Sequence, residues 1–175
     1  MGERKKVSVI ITTYNRISCL IDAINSVLEQ SYSNIEIIVV NDFEIQNKEL
    51  NRKLEDYNIK LFHSNSLGAN SARLLGFRNS TGKYVAFLDD DDYWAEDKIK
   101  NQVDHLENND DVIMVTSNAR VFYEDGGFGE VIYGNSNPKF LDYGNFIGGY
   151  SFPCIKREFI EESYFLEGLE SGQDW

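Results

Sequence analysis

The chain has 175 residues, of which 42% are hydrophobic and 13% aromatic, so it has enough apolar surface for one globular core and its composition excludes intrinsic disorder. Its formal net charge of −12 at pH 7 excludes a general nucleic-acid binder, because contacts to phosphates need clustered Lys and Arg. This acidity favours a site that holds cations, or anions bridged by cations.

The first half of the sequence alternates predicted strands and helices. Residues 7–11 (VSVII) are mostly β-branched and predict a buried strand. Apolar positions 20, 23, 24, 27 and 28 then recur on one face of a helix, for which Ser18 is the expected N-cap. Residues 35–40 predict the second strand. Leu50, Leu54 and Tyr57 mark a second, weaker helix.

The alternation continues through the middle of the chain. Residues 59–63 predict the third strand, and Gly68 opens a helix with apolar positions 69, 72 and 75. Residues 84–88 predict the fourth strand. The helix after it has Ile99, Val103 and Leu106 on one face, and we expect Glu96 and Asp97 in its first turn, where the helix dipole favours acids. Residues 112–116 close the series.

This pattern predicts an α/β fold with a mostly parallel central sheet flanked by helices. Right-handed crossovers place the strand-to-helix turns along one edge of the sheet, and ligands of such sheets bind beyond the carboxyl ends of the strands. The segments that follow the predicted strands are 12–16, 41–42, 64–66 and 89–92. They are rich in polar and acidic side chains, so we expect the functional site there.

The pattern changes after Ser117. Residues 119–123 and 130–133 flank an Asp-Gly-Gly turn and predict a hairpin, positions 140–147 predict a short helix, and residues 151–155 predict another strand. We interpret this last third as a small α+β elaboration over one side of the sheet rather than as an independent domain.

Four consecutive aspartates, at 89–92, follow an apolar strand and precede Tyr93 and Trp94. Adjacent carboxylates repel one another, and a hard divalent metal with its preference for oxygen ligands would neutralise them. The alternative is a solvated acidic loop. The apolar strand before the run and the aromatic residues after it favour a site.

Two further residues are candidates for ligand contacts. Asp42 ends the second strand, where a carboxylate can accept hydrogen bonds from a ribose or a base, or else form an N-cap or Asx-turn. Arg73 lies among small residues, which would let it reach a phosphate or base, although a lone helical Arg usually pairs with a surface acid. As a site residue outside the core, it should be replaceable without much loss of stability. No Gly-x-Gly-x-x-Gly, Walker or Gly-x-Ser-x-Gly motif supports a dehydrogenase, a P-loop NTPase or a serine hydrolase.

Taken together, these segments resemble the inverting family-2 glycosyltransferases, which have the GT-A fold. Residues 7–16 (VSVIITTYNR) look like that family's opening strand and loop, and residues 35–42 (IEIIVVND) look like the segment that usually ends in Asp-Asp-Gly-Ser. Residues 68–73 (GANSAR) and 81–94 (TGKYVAFLDDDDYW) are similar to its next helix and metal-binding strand. Residues 173–175 (QDW) resemble its Glu-Asp-Trp.

The resemblance implies nucleotide-binding roles for the residues that match these motifs. Thr12 and Tyr14 would pack against uracil or an equivalent base, and Asp42 would hydrogen-bond it. Arg73 would lie near the base and the diphosphate. At the end of the second motif this chain lacks the family's first Asp and its Gly-Ser. This departure concerns which sugar donor the site prefers.

The resemblance also implies the metal site and the catalytic base. Asp89 and Asp90 would contact the ribose, and Asp91 would bind Mn²⁺ or Mg²⁺. Asp174 would be the general base that takes a proton from the acceptor hydroxyl as this attacks the anomeric carbon in one step.

The implied function is the metal-dependent transfer of a sugar from a nucleoside-diphosphate sugar, expected to be a UDP-sugar, to a saccharide or lipid-linked acceptor with inversion. The expected context is bacterial cell-surface polysaccharide synthesis. One alternative is a nucleotide-sugar-binding domain without transferase activity. A second is a magnesium-binding phosphoaccepting receiver, which would need an acidic pair after the first strand, where this chain has Thr12, Thr13 and Tyr14.

The remaining expectations concern location and extent. No apolar run approaches the roughly 18–20 residues that span a bilayer, and Cys19 and Cys154 are too few for a disulfide scaffold. We therefore expect a cytoplasmic protein, associated with the inner face of the membrane if segments outside this chain attach it. We expect one domain over residues 1–175. Its nucleotide-binding half would be 1–117, and its acceptor-side half, 118–175, would be truncated, because family members usually continue into helices beyond this point.

Overall fold

A central sheet and four helices make up most of the computed structural model, which describes residues 4–43, 48–65, 67–123, 126–131 and 149–165. The elements are, in chain order, β1 (Val7–Thr13), α1 (Ile17–Leu28), β2 (Ile35–Asn41), α2 (Lys48–Asp56), β3 (Lys60–His63), α3 (Ala69–Arg78), β4 (Tyr84–Asp89), α4 (Lys98–Asn108), β5 (Met114–Val115), β6 (Ala119–Phe122), β7 (Phe128–Val131) and β8 (Cys154–Lys156).

The central sheet has the strand order β3-β2-β1-β4-β8-β5. β1 lies between β2 and β4 and is parallel to both, with Val9 opposite Ile37 on one side and Ala86 on the other. β8 is antiparallel to both of its neighbours, so five of the six strands point the same way. The predicted α/β fold with a mostly parallel sheet is confirmed.

Both faces of the sheet are covered, which explains why its strands are continuous apolar runs. On one face Val7, Val9 and Ile11 of β1 join a core cluster with the apolar sides of α1, α2 and α4. On the other face Ile10 packs with Ala72 and Phe77 of α3 and with Phe165. The helices therefore hold the carboxyl ends of β1, β2 and β4 at a fixed edge.

Two of the predicted helix starts were wrong. α1 begins at Ile17 with Arg16 at the N-cap position, so Ser18 lies inside the first turn. α4 begins at Lys98, so Glu96 and Asp97 precede its first turn. There, Gln30 Oε1 accepts a hydrogen bond from the Ile99 amide at 3.0 Å, so a side chain from beyond the end of α1 caps α4. A contact between distant segments of this kind has no local sequence signal.

Two residues predicted on buried helix faces are exposed. Leu28, the last residue of α1, is 45% exposed, and Tyr57, which follows the end of α2 at Asp56, is 58% exposed. Apolar periodicity continues past the point where each helix leaves the sheet, and it therefore overestimates the buried face.

The last third of the chain contributes to the sheet itself. The predicted hairpin is confirmed as β6 and β7, which pair outside the central sheet. β8 begins three residues later than predicted and lies between β4 and β5. The short helix predicted at 140–147 lies outside the described residues. Within the described ranges, no helix is both long and apolar enough to cross a bilayer.

Candidate active site

A cavity of about 400 Å³ opens at the carboxyl ends of β1, β2 and β4. It lies where the sequence predicts a ligand site for a parallel sheet. Its lining includes six of the predicted site residues, from four separate segments: Thr12, Tyr14, Asp42, Arg73, Asp89 and Asp91. Four residues without a predicted role also line it: Thr13, Arg16, Ala69 and Ala72.

The turn after β1 forms one wall of the cavity. Asn15 has a left-handed backbone with a φ of 56°, a conformation that asparagine adopts more readily than most residues. Tyr14 before it and Arg16 after it both line the cavity. The Tyr14 ring is 54% exposed and meets Phe43 edge-on, with 5.2 Å between ring centroids. An exposed aromatic ring at this wall offers an apolar surface to a base.

Asp42 is buried and braces the loop that leads into α3. Its Oδ1 accepts hydrogen bonds from Ser64 Oγ at 2.5 Å and from the Leu67 amide at 2.9 Å. Its Oδ2 accepts one from the Gly68 amide at 2.9 Å. Gly68 has a φ of 93°, which a side chain would strain. Asp42 therefore shapes the cavity through this loop as well as lining it.

Arg73 is 5% exposed, and its guanidinium is surrounded by acceptors and an aromatic ring. Nη2 donates to Asp89 Oδ1 at 2.8 Å, and Nη1 donates to Asn70 Oδ1 at 3.1 Å. The guanidinium carbon lies 3.8 Å from the centroid of the Tyr150 ring. Nε is buried without a hydrogen-bond partner in the described part of the chain. This buried ion pair replaces the surface pair that a lone helical arginine usually forms.

The first three aspartates of the acidic run have different environments. Asp89 is paired with Arg73, and its side chain is 32% exposed. Asp90 is 1% exposed and accepts hydrogen bonds from Thr13 Oγ1 at 2.6 Å and from Arg16. Asp91 has a side chain that is 54% exposed and is paired with Arg16 at 2.8 Å. Asp89 and Asp91 thus line the cavity, whereas the Asp90 carboxylate faces the interior.

Asp92, the fourth aspartate, interacts with a segment that is distant in sequence. Partial desolvation of its carboxyl raises its pKa; the nearby Ser151 hydroxyl opposes this, and the charges of Asp89, Asp91 and Asp90 add to it. Ser151 Oγ also accepts a hydrogen bond from the Asp89 amide at 3.0 Å. Ser151 therefore holds the start of the acidic turn and lies close to its end.

Residues 150 and 151 had no sequence signal of a role in the site. Ser151 is 3% exposed, and its carbonyl oxygen accepts a hydrogen bond from Trp94 Nε1 at 2.9 Å. Tyr150 covers the guanidinium of Arg73. Only the strand predicted at 151–155 pointed to this region. Which strand it would join depends on pairing between distant parts of the chain.

The donor set fits a divalent metal that is shared with a ligand. No group of three or more Cys, His, Asp or Glu side chains with metal-binding geometry is found among the described residues. Mg²⁺, however, is usually held by one or two carboxylates together with phosphate oxygens, rather than by an all-protein cage. Asp89 and Asp91 supply two carboxylates to the same cavity. Asp174, the predicted base, lies outside the described residues.

Solved structures of glycosyltransferases share this fold. Staphylococcus aureus TarS (residues 1–349), determined in complex with UDP-GlcNAc, aligns over 97% of this chain and 51% of its own, with a TM-score of 0.73 and 19% identity. The mannosyltransferase PcManGT from Pyrobaculum calidifontis, determined with GDP-Man and Mn²⁺, aligns over 89% of this chain and 46% of its own, with a TM-score of 0.64 and 20% identity. These likenesses identify the GT-A fold.

Curated relatives are similar over most of this chain. An uncharacterized glycosyltransferase of Rickettsia bellii is 37% identical over 97% of this chain and 25% of its own length. Escherichia coli WfaP, named UDP-Glc:alpha-D-GlcNAc-diphosphoundecaprenol beta-1,3-glucosyltransferase, is 34% identical over 85% of this chain and 58% of its own length. The chain thus spans about a quarter of the first relative and somewhat over half of the second.

The family profile described as Glycosyl transferase family 2 matches residues 8–163, from β1 to the segment beyond β8. This match includes all of the cavity-lining residues described above. It leaves the receiver alternative without support. The chain belongs to glycosyl transferase family 2.

Proposed function

We propose that this chain carries the donor site of a metal-dependent glycosyltransferase that moves a sugar from a UDP-sugar to an acceptor hydroxyl with inversion. One observation carries the proposal: six of the predicted site residues, which lie in four segments of the sequence, line a single cavity at the carboxyl edge of the sheet. We further propose that residues 1–117 form the nucleotide-binding half of the domain and residues 118–175 its acceptor-side half.

The cavity offers each part of a nucleoside diphosphate a matching group. Tyr14 presents an exposed ring to the base, beside Thr12 and Asp42. Arg73 presents a positive charge, and its unpartnered Nε is a donor suited to a ligand oxygen. Asp90 would act on the ribose side indirectly, because its carboxylate is buried behind Thr13 and Arg16.

Asp91 would hold Mn²⁺ or Mg²⁺, and Asp89, which was predicted to contact the ribose, lies on the same cavity as a second carboxylate available to the metal. When bound, such a metal stabilises the negative charge that develops on the leaving nucleoside diphosphate. Asp174 is the proposed base: its carboxylate would take the proton of the acceptor hydroxyl as that oxygen bonds to the anomeric carbon and the bond from this carbon to the diphosphate breaks. Attack from the face opposite the leaving group gives inversion.

The relatives support the choice of donor and acceptor. WfaP is named for a UDP-Glc donor and a diphosphoundecaprenol-linked acceptor. The TarS structure contains UDP-GlcNAc, and the PcManGT structure contains GDP-Man and Mn²⁺. A UDP-sugar donor and a lipid-linked saccharide acceptor are therefore our proposal here. Such an acceptor would place the reaction at the cytoplasmic face of a membrane, with attachment through segments outside this chain.

A thermal-shift experiment with UDP and Mn²⁺ tests the donor site. UDP should raise the melting temperature only when Mn²⁺ is present, because the acidic turn repels a diphosphate that no metal neutralises. A ligand at 100 times its Kd adds about 2.7 kcal/mol to the free energy of unfolding. Asp91→Asn should abolish this shift, whereas the control Asp104→Asn, at an exposed pair with Lys100, should retain it. An equal shift in excess chelator would contradict the metal requirement.

Transfer assays separate an enzyme from a domain that only binds the donor. Asp174→Asn should leave the affinity for UDP and Mn²⁺ unchanged and abolish transfer to the acceptor, since the base does not touch the nucleotide. Because the acceptor-side half is expected to be truncated, the same assay is run on a chain extended past Trp175; donor binding without transfer by that longer chain would favour the binding-domain alternative.

A further inference from the structure

Arg16 bridges two neighbouring aspartates at the edge of the cavity. Its Nε and Nη2 both donate to the Asp90 carboxylate, the former at 3.2 Å, and its Nη1 donates to Asp91 Oδ2 at 2.8 Å. The two carboxylates differ in exposure, at 0% for the Asp90 side chain and 54% for that of Asp91. One guanidinium thus joins a buried acid to an exposed one.

These two contacts differ in how easily they can be exchanged. Without Arg16, the buried Asp90 carboxylate would keep only its described hydrogen bond from Thr13, and an uncompensated buried charge is strongly destabilising. The pair with Asp91 is exposed on both sides, and such pairs contribute about 0–1 kcal/mol. Asp90 therefore fixes the guanidinium, while Nη1 can exchange Asp91 for another acceptor at little cost.

The exchangeable contact lies where the metal would bind. A divalent cation on Asp91 would compete with Nη1 for the same carboxylate and would be repelled by the guanidinium charge beside it. A cation that arrives with a diphosphate differs in two respects: the ligand's negative charge offsets the repulsion, and its oxygens offer Nη1 a charge-assisted hydrogen bond. Arg16 lines the same cavity, so Nη1 is placed for this change of partner.

We propose that Arg16 occupies Asp91 in the ligand-free protein, so that the divalent metal binds tightly only together with the diphosphate, to which Nη1 then donates. This inference rests on the proposed function for the identity of the ligand. It assigns Arg16 two opposite effects, against the metal alone and in favour of the metal with nucleotide. A residue that only supported the fold would not show such a reversal.

The test measures Mn²⁺ binding by the loss of the free-ion signal in electron paramagnetic resonance, with no nucleotide present. Arg16→Gln should bind Mn²⁺ roughly three- to tenfold more tightly than the wild type. With saturating Mn²⁺, its affinity for UDP should fall by about tenfold or more, measured by calorimetry. Arg78→Gln is the matched control, because Arg78 forms an equally exposed pair with Glu162 outside the described cavity lining. Both of its affinities should match the wild type.

Two further variants keep the test decisive if Arg16→Gln fails to fold. Arg16→Lys keeps a positive charge and should keep the weak binding of Mn²⁺ alone. The double variant Arg16→Gln with Asp90→Asn removes the uncompensated buried charge and should still bind Mn²⁺ more tightly. Unchanged Mn²⁺ affinity in both Arg16→Gln and this double variant would overturn the inference. A wild-type chain that fails to bind UDP with Mn²⁺ would refute the proposed function instead, and the nucleotide-free comparison remains valid in that case.

Discussion

Lys98 has a buried ammonium, and removal from water disfavours its positive charge more than its local contacts favour it. Nζ donates to Gln102 Oε1 at 2.9 Å and lies 4.1 Å from the centroid of the Trp94 ring. Burial lowers the pKa of Lys98 from 10.5 to about 7, although the Cys154 thiol is a close neighbour. Burial also raises the pKa of the Cys154 thiol to about 12, so this neighbour stays neutral at physiological pH.

The depressed pKa predicts the direction in which stability depends on pH. The unfolded chain binds a proton at Lys98 up to about pH 10.5, whereas the folded chain binds it only up to about pH 7. The free energy of unfolding therefore rises with pH between these two values, and it falls again as the pH is lowered towards 7. Lys98→Met should flatten this rise, measured by urea unfolding at pH 6.5 and 9.5. Lys100→Met is the control, because the Lys100 side chain is 42% exposed, and it should leave the rise unchanged.

Arg73→Ala should lower both stability and nucleotide affinity. The expectation from sequence that this arginine lies outside the core is wrong, because its side chain is buried between Asp89 and Tyr150. Its removal leaves a partly buried carboxylate without its partner, at a cost of about 2 kcal/mol in the free energy of unfolding. Urea unfolding and calorimetry with UDP and Mn²⁺ measure the two effects. An unchanged free energy of unfolding would show that Asp89 finds another partner.

The acidic run was predicted from the sequence, but which of its four aspartates line the cavity and which face the interior was not. They are identical neighbours at the point where β4 ends, so strand alternation no longer determines which side chain faces inward. The sorting comes from Arg16 and Arg73, which lie on other elements, and from Ser151. Roles at this edge are therefore set by long-range pairing rather than by local pattern.

At the scale of elements, α3 lies unusually close to the sheet at Gly76. A Cβ added there would lie 2.4 Å from Ile10 Cγ2 and 3.2 Å from Val40 Cγ2. Gly76→Ala should therefore destabilise the protein, since overpacking typically costs about 1–3 kcal/mol, more than the gain of up to about 1 kcal/mol from better helix propensity. Urea unfolding measures the difference. A stabilised variant would show that α3 can shift away from β1 without loss of packing.

The elements that the sequence predicted best are those with the most burial. The strands β1, β2 and β4 are covered on both faces and appear as unbroken apolar runs. β8 has only three residues, one of them Lys156, and its place in the sheet depends on distant partners. Length and hydrophobicity could not show that this short segment belongs to the central sheet.

At the scale of the whole molecule, the predicted topology and the predicted site support each other. The parallel strands place the ends of β1, β2 and β4 at one edge, and the cavity lies there. The residue roles proposed for the site come from the ordered family motifs, because spacing alone does not assign them. The contributions of Arg16 and of residues 150–151 became visible only in three dimensions.

The position of β8 determines when the sheet can be completed during synthesis on a ribosome. Among the described strands, β5 pairs with β8 alone, and β8 pairs with β4 through Lys156 opposite Tyr84. A nascent chain that has not yet emerged as far as Lys156 presents the apolar β4 with one edge unpaired, and such an edge invites pairing with other chains. Ser151, which holds the acidic turn, emerges in the same stretch. The support of the acidic turn and the protected sheet edge are therefore completed together, late in translation of this region.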